Sequence, residues 1–108
     1  MGEFLPPVYK ELSRRYSTVV DQHAAFAAAC HDAGPLDRKT RHLLKLAVAI
    51  GARYRGAVQS HVRQALEAGA TTAEIEHVAL LAASTVGFPS AVAALSWIES
   101  VLEAREAE

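Results

Sequence analysis

A single cysteine, Cys30, excludes any disulfide within the chain, and a reducing, cytoplasmic setting is the expectation that goes with it. Aromatic residues make up only 6% of the 108 residues, so a core has to be filled by aliphatic and small side chains. Neither sign of charge is in excess. Eleven Lys and Arg stand against twelve Asp and Glu, a formal net charge of -1, which excludes general nucleic-acid binding because that needs a surplus of basic residues. The apolar runs are too short and too interrupted to span a bilayer. The opening MGEFLPPVYKEL lacks the basic-then-apolar layout of a secretory leader. No segment shows the β-branched alternation of a strand.

What the chain does have is alanine, which supplies much of its 51% hydrophobic content. Alanine lowers the cost of helix formation and lets helices approach closely. The punctuation falls at Pro6-Pro7, Gly34-Pro35, Gly51, Gly69 and Gly87-Phe88-Pro89, and the segments between these marks have helical periodicity. A short first helix follows the two prolines, with Val8, Leu12 and Tyr16 on one face. A second is predicted over about 18–33, with apolar positions at Val19, Val20, His23, Phe26 and Ala27, closed by Gly34 as C-cap.

In the third helix Asp37 is the N-cap, and Leu43, Leu44, Ala47, Val48 and Ile50 form the inward side. Its outward side carries Arg38, Arg41, His42 and Lys45. A fourth helix over about 55–68 packs through Val58, Val62, Ala65 and Leu66 and ends at Gly69. Thr71 and Glu74 form a capping-box pair for a fifth. The last is predicted over about 90–105, with Val92, Leu95, Ile98, Val101 and Leu102 at helical spacing. The expected fold is all-α, a single domain over 1–108. The fifth and sixth helices are apolar nearly all round, and a domain this small has little interior to hide two such helices. A homo-oligomer is therefore expected.

The segments LDRKTR, LAVAIGA, HVRQALEAGAT, EI and the closing GFP, in that order over roughly residues 34 to 90, resemble the core of the carboxymuconolactone decarboxylase family, which includes alkylhydroperoxidase D-like proteins. The resemblance implies a helical orthogonal bundle of about six helices, assembling as a ring-like trimer or hexamer with its active site near a subunit contact. The redox branch of the family carries CxxCxxxH with a Glu twelve residues before the first Cys. By position this places the His on His61, the Cys pair on Tyr54 and Ala57, and the Glu on His42. Neither Tyr54 nor Ala57 can attack or resolve a disulfide, which counts against hydroperoxide reduction.

The decarboxylase branch lacks the thiols and keeps a segment like HVRQAL. The resemblance therefore implies a cofactor-free lyase or isomerase acting on a small carboxylated lactone or related acid. Imidazole titrates near neutrality and suits proton transfer, so His61 is the candidate acid/base with His42 its partner. Guanidinium groups hold carboxylates in a bidentate fork, which makes Arg41 and Arg55, with Tyr54, the candidate substrate-binding residues. Two imidazoles without a third ligand make a poor metal site, so neither metal nor cofactor is expected. A helical oligomer that has lost its chemistry and binds a ligand or partner is the alternative.

Overall fold

Prolines open the chain's first helix and an aspartate its third, and in the computed structural model, which describes residues Pro6–Ala107, both begin where those residues stand. Six helices follow one another: α1 (Pro7–Arg15), α2 (Ser17–Asp32), α3 (Arg38–Ala52), α4 (Arg55–Glu67), α5 (Thr72–Val86) and α6 (Phe88–Glu106). No strand occurs among the described residues. The chain divides into two compact units, with the boundary between Leu36 and Asp37.

The first unit holds α1 and α2. Pro6 caps α1 and Pro7 occupies its first turn, where a missing N–H costs nothing because that group has no helical partner. No residue of either helix is buried, so Val8, Leu12, Val19 and Phe26 all lie exposed. Gly34 is not the C-cap of α2. Ala33 takes that position in right-handed conformation, and Gly34 is not among the positive-φ glycines, which are Gly69 and Gly87.

The second unit is a four-helix arrangement in which α3 packs on α4 and α5, and α6 on α5 and α4. Paired contacts fix the directions. Lys39 Nζ meets Glu74 Oε2 at 3.0 Å, and twelve residues later on both helices Gly51 lies against Val86, so α3 and α5 run parallel and in step. Gln59 Nε2 donates to Ser100 Oγ at 2.9 Å, tying α4 to α6. The core between them is aliphatic, with Leu46, Ile50, Val58, Val62, Ile75, Ile98 and Val101 fully buried. Ala65, Ala79 and Ala94, also buried, occupy contact positions where a small side chain shortens the distance between helix axes.

The ends of these helices follow sequence chemistry. At α4, Gly69 adopts φ 99°, its N–H donates to Leu66 O at 3.1 Å, and the Ala70 N–H donates to Ala65 O at 2.9 Å. That pair of bonds is the Schellman closure, for which glycine is the favoured residue. α5 ends at Gly87, φ 112°, and α6 begins at once with Phe88 and Pro89 rather than two residues later.

The orientation of α3 departs from expectation. Its buried residues are His42, Leu46, Ala49 and Ile50. Leu44 and Val48, expected inside, are 49% and 71% exposed, while His42, expected outside, is only 4% exposed. The helix carries apolar residues on two faces, and the core takes the face that includes the histidine.

Candidate functional site

Short interactions fix the starts of α3 and α5. The Asp37 carboxylate accepts the Thr40 N–H at 3.1 Å, and hydrogen bonding from the Thr40 side chain, followed by that from its N–H, holds the Asp37 carboxyl below its ordinary value of 3.8. At α5, Thr71 Oγ1 accepts the Glu74 N–H at 3.0 Å, while Glu74 Oε1 accepts the Thr71 N–H at 2.9 Å, completing the capping box. The bond from the Thr71 backbone, followed by that from Lys39, lowers the Glu74 carboxyl below 4.5. The Lys39–Glu74 pair joins the two helix starts and so sets the register in which α3 presents its second turn.

That second turn carries His42. From the facing helix α4 comes His61, one residue before the fully buried Val62. The two ring centroids are 5.7 Å apart with the planes inclined at 34°. Nδ1 of each ring is withdrawn from solvent. His42 is buried and His61 half-buried, so a molecule approaching from solution meets His61 first. Two imidazoles at this spacing can share or pass a proton, because a neutral ring offers one donor and one acceptor nitrogen. Arg41, next to His42, is half-buried with its Nε shut off from water.

Tyr54 and Arg55 lie elsewhere. Tyr54 is the N-cap of α4 and is 68% exposed. It stands seven residues before His61, two turns along the same face and about 10 Å away along the axis. Arg55 is exposed and six residues from His61, off that face. The structure thus brings His42 and His61 together, with Arg41 next to His42 in sequence, and leaves Tyr54 and Arg55 at the start of α4. Ala57 packs against the hydrophobic core, one turn before His61. Cys30 is exposed on α2.

The turn between α3 and α4 carries no sequence signal. Arg53 occupies the left-handed region at φ 60°, ψ 36°, with its N–H donating to Ile50 O and the Tyr54 N–H donating to Ala49 O, both at 3.1 Å. This is the closure seen at Gly69, made here by an arginine whose Nε donates to Ser90 Oγ on α6 at 3.0 Å. Without a glycine or asparagine at the position, pattern reading has nothing to mark it.

Half-open clefts lie on either side of the second unit's core. A cleft of about 280 Å³ lies between α3 and α5, lined by apolar side chains such as Leu43, Leu44, Leu81 and Val86 with Thr40 and Thr85. The other, about 390 Å³, is bordered by Leu66, Leu102, Glu76, Glu99, Glu103 and Arg105. Neither cavity is lined by His42 or His61. Among the described residues no group of three or more His, Cys, Asp or Glu is placed to hold a metal ion, and no helix is long and apolar enough to cross a membrane.

An all-helical chain with a thiol-free histidine pair between adjacent helices defines the class of protein, and comparison with known proteins supplies the family. The family model for carboxymuconolactone decarboxylases matches residues 18–100, and the chain belongs to that family. An uncharacterized protein of Haemophilus influenzae is 34% identical over 57 residues, 53% of this chain and 50% of that protein; the chain spans about half the length of this curated relative. A crystal structure of an apo carboxymuconolactone decarboxylase family protein from Legionella pneumophila superposes with a TM-score of 0.74 at 23% identity, covering 88% of this chain and 85% of the other. That similarity extends the shared fold to most of the chain.

Proposed function

We propose that this protein is a cofactor-free lyase or isomerase acting on a small carboxylated lactone or related acid, with His61 as general acid/base and His42 as its partner. The observation that carries this reading is the 5.7 Å approach of the two imidazoles in a family member with Tyr54 and Ala57 where the redox branch has cysteines. In a decarboxylation of this type the C–C bond to the carboxylate breaks and CO2 leaves. The electron pair stays on the substrate as an enolate, which takes a proton at carbon from the His61 imidazolium. Water then restores the proton, and the buried His42 limits how the ring at 61 can turn and share charge. Arg41 is the carboxylate-binding cation nearest in sequence to the pair. Tyr54 and Arg55 at the start of α4 engage the far end of a substrate long enough to reach them.

Thiol-dependent hydroperoxide reduction is not supported, since Cys30 lies exposed on α2 and is the chain's single thiol. The same lone cysteine fits a cytoplasmic setting. We also propose that the chain works as a homo-oligomer, a trimer or hexamer, because Leu44, Val48, Leu81 and Val86 remain exposed, with Leu44, Leu81 and Val86 on the cleft between α3 and α5. That apolar cleft also suits a chain that binds without converting its ligand.

The experiment is turnover of a panel of carboxylated lactones in D2O by the native chain, His61→Ala and His42→Gln. Loss of one positioned acid/base lowers rates by about 10²–10⁴-fold. A fall of that size in His61→Ala, with solvent deuterium found at the product carbon in the native reaction, is the expected result. Turnover surviving in His61→Ala refutes the role of His61. A compound that raises the melting temperature yet is never converted favours the binding protein instead.

A further inference from the structure

We infer that the Gln64 side chain, held in place by Ser60, is the hydrogen-bond donor that stabilises the oxygen of an enolate formed beside His61. The inference rests on the lyase or isomerase reading and supplies a group which that chemistry requires. The electron pair left by departing CO2 must reside on an oxygen, and none of the residues given a role above meets that oxygen. Gln64 Nε2 donates to Ser60 Oγ at 2.8 Å in a half-buried setting.

Position on α4 brings this pair to the histidine. Residues three or four apart on a helix are neighbours, with Cβ atoms roughly 5–6 Å apart. His61 therefore has Val58 and Ala65 along one flank, both without exposed surface. Ala57 and Gln64 stand along the other, both half-buried. The core closes the first flank, so a substrate reaching the half-buried ring at 61 comes past the second. There it meets the carboxamide. Ser60, four residues before Gln64 and also half-buried, backs the amide on that side.

The chemistry of the pair suits the task. A carboxamide has two N–H bonds and a hydroxyl one O–H. The bond to Ser60 uses one amide N–H and fixes the group, which leaves the second N–H to be given to a substrate oxygen. With the amide turned over, Ser60 would donate to Oε1 and both N–H bonds would face outward, so a donor is presented in either arrangement. A dipole fixed in a half-buried place stabilises charge without having to reorganise when the charge appears. The spans agree as well. The oxygen of an enolate and the carbon to be protonated are two bonds apart, roughly 2.4 Å at standard bond lengths. An oxygen about 3 Å from an amide and a carbon about 3 Å from an imidazole fit side chains one helical turn apart. No bond to Gln64 forms or breaks. The C=C pair takes the His61 proton as the new C–H bond, and an oxygen pair re-forms the C=O.

The test measures turnover of the lactone panel and, by calorimetry, binding of tetronic acid, a five-membered lactone that is an enolate at neutral pH. Gln64→Ala is expected to lower kcat by about 10²–10³-fold with KM little changed, the effect of removing one such donor. Gln64→Glu keeps the size but sets a carboxylate against the enolate. It is expected to lose at least as much turnover and to weaken tetronate binding roughly tenfold or more. Ser60→Ala loosens the amide and gives a smaller fall in kcat, which Ser60→Thr, with its hydroxyl, restores. Melting temperatures near the native value separate these losses from unfolding, and Gln64→Glu decides if Gln64→Ala melts early. Turnover that falls in His61→Ala but is unchanged in both Gln64 variants overturns the inference and leaves the lyase reading standing. A native chain that converts no panel member overturns that reading, and the tetronate titration then decides the donor alone. Tetronate binding that is absent from the native chain, or equal in the native chain and Gln64→Glu, overturns the inference.

Discussion

Arg53 offers a quantitative test of how the turn between α3 and α4 is held. Its backbone sits at φ 60°, where a side chain with a Cβ costs roughly 1–2 kcal/mol and glycine nothing comparable. Its side chain offsets part of that cost through the bond from Nε to Ser90 Oγ at 3.0 Å, a solvent-exposed hydrogen bond contributing about 1 kcal/mol. Two substitutions separate the effects. Arg53→Ala keeps the strained conformation and removes the bond, so it is expected to lower stability by about 1 kcal/mol. Arg53→Gly removes both, and it is expected to be more stable than Arg53→Ala by about 1 kcal/mol, less the added freedom of the unfolded chain. In a Ser90→Ala background Arg53→Ala becomes nearly silent, while the gain from alanine to glycine persists. Urea unfolding followed by Trp97 fluorescence measures all of these differences. Finding Arg53→Gly equal to or less stable than Arg53→Ala would refute the claim that the left-handed conformation is a strain the protein carries.

Two further outcomes bear on the same unit. The Asp37 and Glu74 carboxyls sit below their ordinary values of 3.8 and 4.5, so the folded chain binds these protons less readily than the unfolded chain. Their stabilisation is complete above the ordinary values and is lost as pH falls through the lowered ones. Asp37→Asn with Glu74→Gln keeps capping side chains but removes the titration. Melting temperature is expected to fall less steeply below about pH 4.5 in the double variant than in the native chain, and equal slopes would contradict this assignment. Leu46→Ala, at a position with no exposed surface, is expected to destabilise by about 2–5 kcal/mol through lost burial and the cavity left behind. A loss under about 1 kcal/mol by urea denaturation would mean that the core collapses around the gap.

Three helix boundaries were legible in the sequence because their chemistry is local. Asp37, the Thr71–Glu74 box and Gly69 each satisfy backbone groups within a few residues of themselves, and each stands where pattern reading puts it. The rotation of α3 was not legible. Of the expected inward set, Ile50 is buried and Leu43 packs on the core, whereas Leu44, Ala47 and Val48 belong to a second apolar face that lies exposed, and a period of 3.6 residues does not say which of two faces meets the core. Counting residues of the second face as inward also turned His42 outward, so its burial could not be anticipated from polarity. The pairing of His42 with His61 was reached only through the spacing of a family motif, since the eighteen residues between them give no local signal of contact. Arg53 was invisible for the opposite reason, because it departs from the residue preference that makes such turns recognisable.

The boundary between Leu36 and Asp37 also bears on how the chain comes apart. Each unit holds one natural optical or chemical reporter: the lone tryptophan, Trp97, packs on the core built from α3 to α6, and the lone thiol, Cys30, sits on α2. Indole emission can therefore follow melting in one half while a dye on the sulfur follows the other, with no engineering of either. If the two traces separate along a denaturant ramp, the two units unfold independently, and a single midpoint would not describe the chain.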